Sequence, residues 1–170
     1  MGVIRNHYVG RTFIQPSPYI RDLGVRVKLN PVREVIKGKR IVIVEDSIVR
    51  GTTSRARINT LREAGAKEVH MRVSCPPLRY PCFYGIDFPT KEELIASTRR
   101  VEDIAEFVGL DSLGFLSLEG LFKAMPLPRK EFCAACFHGD YPLPIPPGMG
   151  KHSLERSEDR EQKRDFFCSL

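Results

Sequence analysis

Apolar residues in this chain gather in short runs separated by glycine, proline and charge, and two of those runs stand out. Arg40-Ile41-Val42-Ile43-Val44 is β-branched and continuously apolar after its first residue, the pattern of a central parallel strand covered on both faces. From Thr52 to Ala64 the pattern turns helical: Thr52 or Thr53 can cap, Ile58 and Leu61 share a face, and Gly65 follows as a stop. A second strand is expected over Glu68 to Ser74. Strand, loop, helix and strand in this order form a βαβ unit, so the fold class is α/β with a parallel sheet.

Residues 1 to 24 hold Arg5, Tyr8, Arg11, Tyr19 and two prolines without periodicity, as a long loop would. Beyond the βαβ unit, Pro76-Pro77 and Pro81 break the chain, and Lys91 to Val108 reads as one or two helices with Glu92, Glu93, Arg99 and Arg100 on polar faces. A short strand over Leu113 to Leu118 and a helix over Leu118 to Ala124 are expected next. After Asp140, Tyr141-Pro142-Leu143-Pro144-Ile145-Pro146-Pro147-Gly148 can build neither ladder nor helix, and Lys151 to Arg164 is almost wholly charged. Two strong strands are too few for an independent doubly wound sheet, so the domain reads as incomplete. The expected division is a partial domain over 1–125, a cysteine-containing segment over 126–147 packing on it, and a charged, disordered tail over 148–170.

The chain has 170 residues, 42% hydrophobic and 28% charged, which is ordinary for a globular protein with one core. No run approaches the ~20 apolar residues of a membrane span, and Met1 to His7 lacks the design of a signal peptide. A cytoplasmic location with no membrane partner is expected. The net charge of +6 comes from 27 Lys and Arg interspersed with 21 acidic residues. That dispersal argues against a nucleic-acid stripe, and a phosphorylated small substrate explains the excess as well.

The candidate chemistry sits where the first strand ends. Glu45-Asp46 is followed by Ser47-Ile48-Val49-Arg50-Gly51-Thr52-Thr53 and then the helix, which places free backbone N–H groups and hydroxyls at a helix N-terminus, an anion cradle. Gly51 lets the backbone approach a phosphate or adopt positive φ, while Ser47, Thr52 and Thr53 can donate to its oxygens. Glu45 and Asp46 stand at the carboxyl edge of the sheet, where α/β proteins bind ligands, and suit ribose hydroxyls or Mg²⁺. Neither Walker A nor Gly-x-Gly-x-x-Gly spacing is present. The plain alternative is an ordinary βα turn with acidic capping residues.

Ile43 to Thr53 resembles the phosphoribosyl pyrophosphate motif of type I phosphoribosyltransferases, in the Asp-Ser-Ile-Val-Arg-Gly-Thr-Thr form of the amidophosphoribosyltransferases. Asn6 to Pro16 resembles that family's flexible active-site loop and Val25 to Asn30 the segment after it; Pro81-Cys82-Phe83-Tyr84-Gly85-Ile86-Asp87 and Cys133-Ala134-Ala135-Cys136-Phe137 match as well. The resemblance covers roughly residues 2 to 145. It implies a glycosyltransferase acting on phosphoribosyl pyrophosphate, with glutamine-derived ammonia in the full-length enzyme. The product is 5-phosphoribosylamine, the first committed intermediate of purine biosynthesis. It further implies that Glu45 and Asp46 hold the ribose and Mg²⁺ region, that Ser47 with Arg50, Gly51, Thr52 and Thr53 holds the 5-phosphate, and that the catalytic cations Arg11 and Lys28 face the pyrophosphate. Tyr8 and Thr12 would help the loop close and exclude water. The family forms homo-oligomers. It usually has two aspartates where this chain has Glu45-Asp46, which leaves the geometry at Glu45 less defined.

Cys133-x-x-Cys136 is a chelating spacing, and Cys82 could add a third thiolate. Tetrahedral Zn²⁺, with or without His138, and three buried thiols are the chemical alternatives. The resemblance favours iron: a subset of the family carries a [4Fe–4S] cluster, and Cys82, Cys133 and Cys136 match three of its ligand positions, the fourth lying in sequence absent from this chain. Cys75 is the nearest substitute, but it is expected in a strand; Cys168 reads as incidental.

The family's glutamine-hydrolysing half uses an N-terminal cysteine, and this chain has none before Cys75. The chain therefore reads as the C-terminal part of such an enzyme, without its glutaminase domain and its first sheet strands, and with weak or no catalysis of its own. The competing class is a non-catalytic phosphoribosyl-ligand-binding or regulatory domain of the same fold, which would need neither the loop around Arg11 nor the cysteines.

Overall fold

The computed structural model describes residues 2–5, 29–86 and 90–146. Two short strands, β1 (Val3–Arg5) and β2 (Leu29–Pro31), form an antiparallel ribbon with Ile4 opposite Asn30. A single helical turn, α1 (Arg33–Ile36), leads into β3 (Arg40–Glu45). The helix α2 (Thr52–Glu63) and the strand β4 (Glu68–Val73) complete the βαβ unit. A 3₁₀ turn over Lys91–Glu93 then precedes α3 (Ile95–Thr98) and α4 (Val101–Val108). The last strand, β5 (Ser112–Phe115), is followed by α5 (Leu118–Lys123), a 3₁₀ turn over Arg129–Glu131, and α6 (Ala135–His138).

The main sheet has the order β3-β4-β5, all parallel, with β4 in the middle. Period-2 alternation sends Val69, Met71 and Val73 of β4 to one face, where they pack with Ile58 and Leu61 of α2 and Ile104 and Val108 of α4. Ile41 and Ile43 of β3 lean on the same core. Asp111 ties its layers together: its Oδ2 accepts from Val69 N–H at 2.6 Å and from Arg62 Nη2 at 2.6 Å. Those bonds hold its carboxyl below the usual range, the backbone N–H of Val69 being the larger cause.

The opposite face differs from expectation. The Ile41 to Val44 run reads as a strand covered on both sides, but Val42 is 62% and Val44 76% exposed. Beside them lies a polar row in which Glu68 accepts from Arg40 at 2.6 Å and contacts His70 Nε2 at 3.1 Å, while His70 Nδ1 meets Ser112 Oγ at 2.9 Å. Helices α2 and α4 pack on the Val69 face, while the Val42 and Val44 side of a run that reads as doubly buried meets solvent.

Smaller differences have local causes. Residues 3–5 form a strand inside the segment expected to be all loop, because Leu29–Pro31 gives them a partner. The cap of α2 is Gly51, in the left-handed region, not Thr52 or Thr53. Cys75 lies beyond β4, which ends at Val73. The turn α6, which holds Cys136 and ends at Gly139, carries no long apolar period to announce it.

Candidate phosphate site

The site is built by the end of β3 and the start of α2. Alternation along β3 puts Glu45 on the face of Ile41 and Ile43, toward the helix, and there its carboxylate pairs with Arg57 of α2. Burial raises the Glu45 carboxyl above its ordinary value, Arg57 works against that, and the neighbouring charge of Asp46 adds to it. Asp46, past the end of the strand, is exposed and accepts from Ser47 Oγ at 2.9 Å. The two adjacent carboxylates thus have different surroundings: one is locked to a helix cation, the other open to the crevice.

From Ser47 to Gly51 the chain turns over the carboxyl edge, with Ile48 buried as its anchor. Gly51 has φ 76° and ψ −11°, and its carbonyl accepts the first helical bond, from Arg55 N–H at 2.9 Å. A helix leaves its first N–H groups without internal partners, no side chain caps this one, and its first turn carries no acidic residue. The amides and hydroxyls at Thr52 and Thr53 are therefore presented outward with the positive end of the helix dipole. Gly51 is also sterically required: a Cβ there would lie 2.9 Å from Ile95 Cδ1 and 3.3 Å from Phe107 Cε1.

The structure brings together Glu45, Asp46, Ser47, Arg50, Gly51, Thr52 and Thr53 in one turn. Arg50 does not point free into the crevice, since its Nε and Nη2 both reach Glu93 Oε1 at 2.9 Å. Tyr8, Arg11, Thr12 and Lys28 lie outside the described residues; in sequence they fall between β1 and β2. The residues that sequence reading passed over are Arg57, Glu93 and Ile95. A basic residue on the inward face of α2, facing the carboxylate that ends β3, was a usable signal for Arg57, whereas nothing in sequence connects Glu93 to Arg50.

A groove of about 220 Å³ runs beside Glu45 and Arg57, lined by Val3, Pro31, Ile43, Val44, Thr60 and Leu61. It separates the base of the β1-β2 ribbon from α2 and is mainly apolar.

The cysteines occupy a neighbouring corner. The carbonyl of Cys136 accepts from the N–H groups of Arg79 and Tyr80 at 3.0 Å, joining α6 to the segment that carries Cys82. Burial pushes the Cys75 thiol up to about 11, with charge on Asp46 and Cys136 adding to the effect, and it raises Cys136, with Cys82 and Cys133 adding there. Tyr141 covers the corner, its hydroxyl donating to Pro81 O at 2.8 Å and its ring 5.2 Å from that of Phe83. Among the described residues, no group of three His, Cys, Asp or Glu side chains stands close enough to hold a metal ion.

A parallel sheet whose edge loop leads into an uncapped helix N-terminus, beside an exposed carboxylate, defines the class of this chain as α/β with a candidate anion cradle at the sheet's carboxyl edge. Its homologues are amidophosphoribosyltransferases. The chain is 51% identical over 159 residues to the amidophosphoribosyltransferase of Methanothermobacter thermautotrophicus, covering 94% of this chain and 34% of that protein. It is 60% identical over 142 residues to the chloroplastic amidophosphoribosyltransferase 1 of Arabidopsis thaliana, covering 84% of this chain and 25% of that protein. Its structure is similar to that of the glutamine phosphoribosylpyrophosphate amidotransferase from B. subtilis complexed with ADP and GMP, with a TM-score of 0.74 and 53% identity over 91% of this chain and 35% of that one. No family model matches. The chain spans between a quarter and about a third of the length of these relatives, so it corresponds to a fragment of them. Among the described residues, no helix is long and apolar enough to cross a membrane.

Proposed function

We propose that this chain is the phosphoribosyl pyrophosphate-binding part of an amidophosphoribosyltransferase, which makes 5-phosphoribosylamine from phosphoribosyl pyrophosphate and glutamine. The observation that carries this reading is the uncapped N-terminus of α2 behind Gly51, with Asp46 open beside it. The 5-phosphate would rest on the amides and hydroxyls of Thr52 and Thr53 with Ser47. Asp46 would then accept from the ribose hydroxyls, and Glu45, held by Arg57, would support it from behind. Fixing the phosphate end converts binding energy far from the reacting carbon into orientation of that carbon.

An exposed carboxylate at the sheet edge fits Mg²⁺, which favours one or two carboxylates together with substrate oxygens. Bound there, Mg²⁺ would neutralise charge that gathers on the departing pyrophosphate. Arg11 and Lys28 would meet the same charge as cations, with Tyr8 and Thr12 in the loop over it. Calorimetric titration of the chain with phosphoribosyl pyrophosphate and Mg²⁺ is expected to give saturable binding, weakened at least about tenfold by Asp46→Asn, the loss of one charge-assisted contact. A folded wild-type chain that binds nothing would defeat the assignment.

The ligand positions at Cys82, Cys133 and Cys136 favour the iron–sulfur type of the family, but the three thiols as they stand do not form a ligand set. A [4Fe–4S] cluster here would need both a fourth ligand from further polypeptide and closure of the corner between α6 and Cys82. Anaerobic reconstitution of this chain with iron and sulfide is accordingly expected to leave substoichiometric iron without the broad visible absorbance of a cubane cluster. Four irons per chain with that absorbance would show that these thiols, with Cys75 or a small ligand, suffice.

The exposed Val42 and Val44 face fits the same reading, because relatives about three times as long have polypeptide to cover it.

A further inference from the structure

We infer that Glu93 is a positioning residue for the phosphate loop, acting on the turn through Arg50 and not on the ligand itself. The inference rests on the proposed role of that loop. Glu93 Oε1 accepts from Nε of Arg50 at 2.9 Å and forms an ion pair with its Nη2 at 2.9 Å, while Oε2 accepts from Thr90 N–H at 3.2 Å. The carboxylate is thereby fixed on both sides: by the start of its own 3₁₀ turn, and by the guanidinium it holds.

Two further contacts join the same pair of segments. Ile95 N–H donates to Val49 O at 2.9 Å, and the Ile95 side chain stands where a Cβ on Gly51 would go. Val49, Arg50 and Gly51 are thus each held by residues of the 90–95 segment, one through backbone, one through charge and one through packing. Those three residues set the direction of the amides that follow. An anion bound by backbone N–H groups depends on that direction to within tens of degrees, so a clamp on the turn is a clamp on the site.

Electrostatics alone would give the opposite expectation. Removing the charge of Glu93 leaves the Arg50 guanidinium unmatched beside an anion site, which by Coulomb attraction should tighten phosphate binding. The positioning role predicts weaker binding, so the sign of the change decides between them. The pair is also half exposed, with side-chain accessibilities of 44% and 46%, and such a pair contributes little to global stability.

The test is calorimetric binding of ribose 5-phosphate to the 170-residue chain and its Glu93→Gln, Arg50→Ala and doubly substituted forms, with melting temperatures measured alongside. Glu93→Gln is expected to bind about 5–30-fold more weakly, the scale of one charge-assisted fork, with Tm within about 2 °C of wild type. The double variant is expected to be no weaker than the weaker single one, since both remove the same clamp. Unchanged or tighter binding by Glu93→Gln, or losses that multiply in the double variant, would overturn the inference while leaving the loop's assignment intact. Lost binding together with a large fall in Tm would assign Glu93 to stability instead. Absence of binding by a folded wild type would remove the loop's assignment, and the role of Glu93 with it.

Discussion

Gly51→Val is expected to abolish phosphoribosyl pyrophosphate binding and to destabilise the fold, the largest effect of any single substitution at this site. Two costs act together. A β-branched residue at φ 76° occupies a region that such side chains rarely enter, at roughly 1–3 kcal/mol. Its Cβ would also begin 2.9 Å from Ile95 Cδ1 and 3.3 Å from Phe107 Cε1, inside contact distance of a buried side chain that must shift to make room. Relief of the backbone strain moves the turn off α3 and α4, which rotates the amides of Thr52 and Thr53 out of the cradle. Affinity should fall by more than about 100-fold, the loss of two or more charge-assisted bonds, with Tm lower by several degrees. Gly51→Ala separates the terms, because it keeps the clash at Cβ while avoiding the branched side chain. Wild-type affinity in the valine variant would show that the phosphate does not use this turn.

How far the site could be read from sequence follows from the range of its contacts. The strand, the loop and the helix are consecutive, so the turn that carries Glu45 to Thr53 is legible from the strand pattern, the paired carboxylates and the helix start together. The positive φ of Gly51 was anticipated for the same reason. The pairing of Arg50 with Glu93 is not legible, because the partner lies 43 residues away in a turn, and no local pattern encodes that distance. The cap of α2 falls one or two residues before the expected one, since Thr52 and Thr53 have the composition of N-caps but the helix starts with them inside it.

The fold shows the same division. The βαβ unit and the helix pair before β5 follow from periodicity. The strand at Val3–Arg5 does not, because three residues become a strand only when Leu29–Pro31 pairs with them. The open face of the sheet is the informative failure. Val42 and Val44 have the composition of buried positions, and among the described residues nothing packs over them.

Arg57→Ala is expected to give the protein a pH dependence opposite in sign to ordinary acid denaturation. Burial already raises the Glu45 carboxyl above its ordinary value in the folded chain, and Arg57 is the main influence holding it down. Without the guanidinium, the half-buried carboxylate has no cation against it and its pKa rises further. A raised folded pKa favours the protonated folded form, so this group's contribution to stability is full below its unfolded value and is lost as pH rises through the folded one. The variant should therefore be weaker than wild type at neutral pH, by about 1–3 kcal/mol for one unpaired and partly screened charge, and should recover part of that loss on mild acidification. Arg57 Nε is buried without a hydrogen-bond partner among the described residues, so no bond is lost there; lost packing of the arginine stem does not vary with pH, and the pH-dependent part of the deficit reports on Glu45. Ligand affinity should move the other way: if Mg²⁺ and ribose require Glu45 ionised, the pH at which half the affinity is lost shifts upward in the variant. Urea melts at several pH values, with phosphoribosyl pyrophosphate titrations at the same points, separate the two. A variant whose stability falls on acidification in parallel with wild type would mean that Glu45 does not titrate there and that its pairing with Arg57 is incidental to the site.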